Sequence, residues 1–590
     1  MKGHIFPFQL VPQNADIVLY GAGNVGKDFY QQISNTGYAN IVAWVDKNYK
    51  ICSSSGMPVS AIETIKDCRF DYVVLAIANS DIALEIRKFL VSTYGLENEK
   101  IIYHDSIMQD KITYKNIYQD EDMLKSSDIV CVNPKMMLSA KRLDLAVRYL
   151  LAKDILNEIY NEDNLSLYSR MLLVRNCASE PEQYFAEYGR EGVKEYIASV
   201  KNICASMKEN GFDKSRFIPV GDNKIFLNGA HRTAVALALD EKIWIKHLEG
   251  QNGTFDFDMK WFADNGFNEE DKLRILRAYA DLYDKCGVML LFGPCMDQWD
   301  FLEAQLAKQM TVVGSAELDF TDNFIAYENL FREIYLDPLW RNAYIDRKLD
   351  VLMMSPLKIR VVLVSDEGHK ECDLYQTMTQ IKLELRDSML FETDIAPVVM
   401  HGSDSYEEFI HLKQIVLSAN NIKHLKMRLA RSYSETFINN IDRLKAKLKA
   451  IGVDKDECVC PGSSGFEIMG LRKAGDLDVS FKSTNRMELG CQTIHDWAEN
   501  IDYIRTNSIQ VSHETTYPDD VIIADDNLHY IFYGMKFVNL ELIVQKKAFN
   551  RREKDIRDVR LYELFQDYVT NFNDKAFLKK RIEQEFYKKR

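Results

Sequence analysis

The sequence predicts a multidomain α/β protein, and three observations carry that expectation. The chain has 590 residues, too many for one hydrophobic core at about 100–200 residues per domain. A strand-like run, a glycine-rich turn and a helical stretch follow one another from Asp16 onward, which is how a βαβ unit opens. Farther along, apolar runs of strand length alternate with amphipathic stretches of helical length, as in layered α/β proteins.

Composition narrows the class. Hydrophobic residues make up 46% and charged residues 27%, the proportions of an ordinary globular chain. With 12 prolines and 27 glycines there is little material for long linkers, so domains at 1–115, 116–255, 256–445 and 446–590 are expected to abut. The formal charge of -14 repels nucleic acid and anionic lipid, which argues against a nucleic acid partner. The basic tail, Lys579-Lys580-Arg581 and Lys588-Lys589-Arg590, is a local exception and reads as a solvated helix end. Eleven scattered cysteines without a CxxC pair suggest neither a disulfide framework nor a zinc site. The opening MKGHIFPFQLVPQNAD lacks the apolar run of a signal peptide, and no stretch approaches the ~18 apolar residues of a membrane span. A cytoplasmic enzyme without membrane insertion is expected. Its partners would be a nucleotide and a small-molecule substrate, and the sequence leaves oligomerisation open.

In the first segment, Asp16-Ile-Val-Leu-Tyr20 runs directly into Gly21-Ala-Gly23-Asn-Val-Gly26-Lys27 and a helical stretch. Ile41 to Val45 forms a second strand ending at Asp46, and Tyr72 to Ile77 a third. Such glycines permit a tight turn and let phosphate approach backbone N–H groups at a helix N-terminus. Asp46 stands about 20 residues beyond Gly26, where a ribose-binding acid is expected. The stretch resembles the Rossmann-like N-terminal domains of bacterial sugar acetyltransferases and other surface-polysaccharide enzymes. The resemblance implies a parallel sheet that binds a nucleotide or nucleotide-sugar through Gly21, Gly23, Gly26 and Asp46. A docking or purely structural role stays open beside it. No hydride-transfer residue follows, so dehydrogenase chemistry is remote.

Helices with mixed polar faces are expected from about 125 to 215. Phe217 to Val220, a turn at Gly221-Asp222-Asn223 and Lys224 to Leu227 read as a hairpin. Asn228-Gly229-Ala230-His231-Arg232 then opens a helix through Leu239, and Ile243 to Lys246 is a strand. This order resembles the ParB/sulfiredoxin-like superfamily, an α+β unit whose Gly-x-x-Arg turn holds nucleotide phosphates. It implies nucleotide binding by Gly229, His231 and Arg232. Ala230 stands where sulfiredoxins carry their catalytic cysteine, which excludes that activity. Asn228 stands where related small-molecule kinases carry an acid, which argues against kinase chemistry. His231 and Arg232 equally suit a helix cap paired with a carboxylate.

The third segment contains three continuous apolar runs: Gly287 to Phe292, Ile359 to Val364 and Ile395 to Met400. They have parallel-strand character and predict a second α/β domain. Ligands of open α/β sheets bind beyond the carboxyl ends of strands, so His401, Ser403 and Asp404 form a candidate substrate pocket. Asp404-x-x-Glu407 also fits a capping box at the start of a helix from Glu407 to Leu417.

The last segment carries the most chemistry. A long amphipathic helix is expected from about 434 to 451, followed by Cys458-Val-Cys-Pro-Gly462-Ser463 and then Asp476-Leu477-Asp478. In a strand, residues two apart share a face, so Asp476 and Asp478 present paired carboxylates suited to Mg²⁺ or Mn²⁺. After a polar stretch, Val521 to Ile523 and His529 to Val544 read as the last strands. Glu541 is the acid embedded in that last apolar run, where an unpaired charge would be costly. It is the expected third ligand of a centre that acts on phosphoryl oxygens. Gly462 and Ser463 supply close backbone approach and a hydroxyl. This order of Gly-Ser turn, Asp-x-Asp and later acid resembles the DNA-polymerase-β-like nucleotidyltransferase superfamily, an α+β fold. The resemblance implies Asp476, Asp478 and Glu541 as catalytic metal ligands, with Gly462 and Ser463 on the nucleotide phosphates. Arg472 is a further candidate for neutralising the triphosphate.

The expected function is therefore a metal-dependent nucleotidyltransferase that moves a nucleoside monophosphate from a nucleoside triphosphate to a small acceptor. The resemblances suggest a sugar or sugar phosphate in surface-polysaccharide biosynthesis. The alternatives are a phosphotransferase centred on the ParB-like unit and a non-catalytic nucleotide-sensing scaffold.

Overall fold

The computed structural model describes the chain apart from residues 55–56, 104–108, 111–128, 177–192, 250–256, 336–343, 368–372, 389–398, 486–492, 505–507 and 572–590 and isolated positions. The first part of the expected strand at 395–400 and the basic tail lie outside the described residues. The chain is mixed α/β and forms two compact units, Met1–Asp284 and Lys285–Arg590. Among the described residues no helix is long and apolar enough to cross a membrane.

The first unit begins with strand β1 (Asp16–Tyr20), helix α1 (Asn24–Thr36), β2 (Asn40–Val45), β3 (Tyr72–Leu75), α2 (Ser80–Tyr94) and the short β4 (Ile101–Ile102). The strands lie in the order β2-β1-β3-β4, all parallel. Ile17, Val18 and Leu19 are fully buried, as a central parallel strand covered on both faces requires. Helix α2 is capped by Asn79, whose side chain accepts the Asp81 and Ile82 N–H groups, and ends at Gly95 in the left-handed region.

A second, three-stranded sheet follows in the same unit. It comprises β5 (Ile129–Val132), β6 (Ile218–Val220) and β7 (Ile243–His247), in the order β5-β7-β6. Helix α3 (Ala230–Leu239) leads from β6 to β7, which pair in parallel. The expected hairpin at 217–227 is reduced to a single bridge between Val220 and Phe226, because β6 takes its ladder partner from β7 instead.

The second unit opens with β8 (Cys286–Phe292), β9 (Thr311–Asp319), β10 (Lys358–Ser365) and β11 (Met400–Gly402), in the order β9-β10-β8-β11. Every pairing is antiparallel, which corrects the parallel expectation. All seven residues of β8 are buried. A continuous apolar run reports burial on both faces, and helices supply that here without imposing a strand direction. Helix α4 (Leu374–Ser388) packs Met378 and Ile381 into the core under β8, and α5 (Tyr406–Val416) and α6 (Ala419–Met427) follow β11. The cap of α5 is Ser405, which accepts the Glu408 N–H (3.1 Å), and not the expected Asp404.

Helix α7 (Glu435–Ala450) is capped by Ser434 and buries Phe437, Ile441 and Leu444 in one core with the last sheet. That sheet comprises β12 (Cys458–Val459), β13 (Leu477–Phe481), β14 (Ile494–Ala498) and β15 (Ile501–Tyr503), in the order β12-β13-β15-β14. The expected strand at 521–523 is instead part of helix α8 (Asp519–Ala524). The expected long strand from His529 to Val544 divides into a hairpin, β16 (His529–Phe532) with β17 (Met535–Val538), and helix α9 (Leu540–Asn550). Its apolar residues explain the change: Leu540, Ile543 and Val544 are buried at helical spacing, with Leu542 and the Lys547 stem buried beside them.

Candidate metal centre

Strand β13 turns Leu477, Val479 and Phe481 into the core, each fully buried, so Asp478 projects from the opposite face. Asp476 lies immediately before the strand, in a loop tethered by the buried Glu467, whose Oε2 accepts the Ala474 N–H at 2.6 Å. Strand β15 runs parallel to β13 with Asp502 in register with Asp478. Ile501 and Tyr503 on either side of Asp502 are buried. One carboxylate oxygen each from Asp476, Asp478 and Asp502 lies within 4.8 Å of the others.

Asp476 and Asp478 make no hydrogen bond or ion pair with any described residue. Asp502 Oδ2 meets the exposed His495 Nδ1 at 2.8 Å, and that bond raises the His495 pKa. Burial, reinforced by the neighbouring Asp476 and Asp502, pushes the Asp478 carboxyl up to about 6. Lys546 of α9 and Lys554 oppose that rise. Burial in turn lowers the Lys546 pKa, with Asp478 and Asp519 pulling it back. Three hard oxygen donors that repel one another, with only partial compensation from His495, Lys546 and Lys554, are a donor set that suits Mg²⁺ or Mn²⁺.

Gly462 stands directly against this centre. A Cβ at Gly462 would lie 2.1 Å from Asp478 Oδ2, so only glycine lets the turn pass the carboxylate. Ser463 follows and makes no capping bond to the short helix Ser464–Ile468.

Glu541 does not join the acids. It occupies the first turn of α9 rather than a strand, and its carboxylate meets Lys423 Nζ (3.1 Å) and His424 Nε2 (3.4 Å). Burial would raise its pKa, but His424 and then Lys423 outweigh it and hold the carboxyl well below the usual range. The third carboxylate is Asp502, which the sequence reading passed over in a polar stretch. The signal available was its alternation, Ile501-Asp502-Tyr503. Arg472 is likewise committed elsewhere. Its Nε and Nη2 each donate to Asp558 at 2.8 Å, and Asp558 also meets Lys547 at 2.8 Å.

In the first unit the glycine turn is packed tightly at Gly21 and Gly26 by the protein's own backbone and Trp44. Gly21 has a φ of +108°, and a Cβ at Gly26 would stand 1.9 Å from Gly21 O. Trp44 Nε1 donates to Gly21 O at 2.8 Å. Asp46 accepts the Ala22 N–H and the Asn48 N–H, each at 2.7 Å, so its carboxylate holds the loop. Of the three turn glycines, Gly23 faces open space. In the three-stranded region Gly229 adopts a φ of +94°. His231 Nε2 bonds Tyr168 OH at 2.8 Å, and Arg232 donates to the Arg216 and Phe217 carbonyls. In the second unit Ser403 Oγ accepts the Val288 N–H at 3.1 Å, while His401 meets Glu408 at 3.2 Å and Asp404 pairs with Lys382.

The family model described as C2185-like, N-terminal, matches residues 13–102, the stretch that forms the parallel sheet. No curated protein and no solved structure matches the chain.

Proposed function

We propose that the second unit is a metal-dependent nucleotidyltransferase whose centre is Asp476, Asp478 and Asp502. The observation that carries this is the in-register pairing of Asp478 with Asp502, with Asp476 beside them and Gly462 against Asp478. Divalent magnesium or manganese held by these three carboxylates would neutralise the triphosphate and favour displacement at its α-phosphorus. The Gly462-Ser463 turn offers close backbone approach to the phosphates, and Lys546 supplies positive charge from α9. The chain's part is chiefly positioning and charge complementarity. The acceptor is a small hydroxylated or phosphorylated molecule, and the resemblances of the first and last segments favour a sugar or sugar phosphate of surface-polysaccharide biosynthesis.

The test is a screen of the four ribonucleoside triphosphates for Mg²⁺-dependent pyrophosphate release with sugar phosphates. Release that survives Asp478→Asn at the wild-type rate would remove the acidic centre from consideration.

A further inference from the structure

A second cluster in the same unit is built from cations. Lys348, on the helix Tyr344–Leu352, is 6% exposed, and Lys382 of α4 is buried to the same 6%. Lys348 Nζ bonds Tyr335 OH and lies over the Tyr335 and Phe292 rings, 4.5 and 5.2 Å from their centroids. Arg386, also on α4, donates from Nη2 to Met400 O at 2.8 Å, and its buried Nε has no partner. His401 packs against Tyr335, with ring centroids 4.9 Å apart.

Two carboxylates border this cluster and both are engaged: Asp404 by Lys382 and Thr379, Glu408 by His401 and the Asp404 N–H. Among the described residues Lys348 and Arg386 meet none. A buried ammonium without a carboxylate is costly, and burial, with Arg386 and Lys382 beside it, pushes Lys348 down to about 7. Burial also lowers the His401 pKa, with Glu408 opposing and Lys348 adding to the effect. The Asp404 and Glu408 side chains, which hold Lys382 and His401, are 49% and 31% exposed, so solvent lies beside these two partners of the cluster.

We propose that this cluster is a binding site for the phosphoryl group of a small phosphorylated ligand, gripped by Lys348 and Arg386 with Tyr335 and His401 alongside. A tetrahedral oxyanion offers enough acceptors for the Lys348 ammonium and the orphaned Arg386 Nε together. It also supplies the negative charge that the surrounding elements withhold. Among the described groups, Tyr335, Lys382, Arg386 and His401 lie beside Lys348, while the carboxylates Asp404 and Glu408 are engaged by Lys382 and His401. Neither of these carboxylates is left to neutralise it. Anion binding therefore carries a proton onto Lys348 when the pH is above about 7. Affinity falls by up to roughly tenfold per pH unit beyond that point.

The experiment is calorimetric titration of the full chain with inorganic phosphate. It is run in EDTA, so that no metal sits at the acidic centre, and at pH 7.5 to 8 in two buffers of different ionisation enthalpy. Phosphate should bind with net proton uptake, whereas acetate at equal concentration should not compete. Lys348→Met should lose both binding and proton uptake while keeping or raising the melting temperature. Arg386→Gln should weaken phosphate by at least about tenfold, the loss of one charge-assisted bond. Unchanged phosphate affinity in either folded variant, or acetate competing as well as phosphate, would overturn the proposal. If Lys348→Met does not fold, Arg386→Gln decides alone.

Discussion

Asp478 and Asp502 are register partners on adjacent parallel strands, so their carboxylates rise side by side from one face of the sheet. The core beneath them, Leu477, Val479, Ile501 and Tyr503, is fully buried and fixes both backbones. Two like charges held this way repel each other until a cation or a proton intervenes.

Asp478→Asn should abolish metal-dependent turnover, a loss of more than about 10³ in rate if a transition-state metal contact goes, and leave the fold intact. The sign of the stability change follows from the pKa. The folded-state value is raised from 3.8 to about 6, so ionised Asp478 destabilises the metal-free protein above about pH 6. That penalty is relieved as the pH falls toward 4. Metal-free Asp478→Asn should therefore be more stable than the parent at pH 7, by on the order of 1–2 kcal/mol after solvent screening, and equal to it near pH 4. Thermal melts across that range check this.

Asp502→Asn and Glu541→Gln should part company. The first should weaken Mg²⁺ or Mn²⁺ binding and stop turnover. The second should leave metal affinity near the parent value but lower stability by about 1–3 kcal/mol at neutral pH, because Lys423 and His424 lose their carboxylate. The depressed Glu541 pKa stabilises the fold above the unfolded carboxyl pKa, and this is lost as the pH falls through the folded one. The Glu541→Gln deficit should accordingly shrink in acid. Metal titration beside denaturant melts distinguishes the two variants.

Gly462→Ala places a methyl 2.1 Å from Asp478 Oδ2. The methyl would also meet Asp478 Cγ at 2.8 Å and Cβ at 2.9 Å, so the turn and the Asp478 side chain must both shift, and the variant is compared only if it folds. Metal affinity should drop at least tenfold, about 1.4 kcal/mol or more. Metal titration of the folded variant checks it, with Gly475→Ala, where a Cβ meets open space, as the control.

Asp46→Ala should destabilise the first unit by about 1–3 kcal/mol, since the Ala22 and Asn48 N–H groups lose a charged acceptor. Any nucleotide or nucleotide-sugar that binds the glycine turn should then bind worse through loosening of the loop. Thermal-shift titration with and without ligand separates stability from binding.

The sequence by itself determined the local chemistry: the strand and glycine turn from Asp16 to Gly26, the helix after Ser434, and the Asp476-x-Asp478 pair. These depend on short-range pattern, on side-chain alternation and on caps, which a linear reading captures. What it could not determine was which residues from distant stretches meet. Asp502 joined the centre only because β15 lies beside β13, a pairing that its own three residues do not announce. Glu541 left it because the run after Val538 is buried as a helix, and a run of Leu, Ile and Val is compatible with strand or helix until packing chooses. The strands around β8 proved antiparallel for a related reason: burial on both faces erases the alternation that reports sheet environment. Asp46, Arg472 and Arg232 carry the charges expected of ligand-binding groups, yet the tertiary structure spends them on the Ala22 N–H, on Asp558 and on the Arg216 carbonyl. Residue type sets what a side chain is able to bind, whereas the fold decides whether a protein group has already bound it.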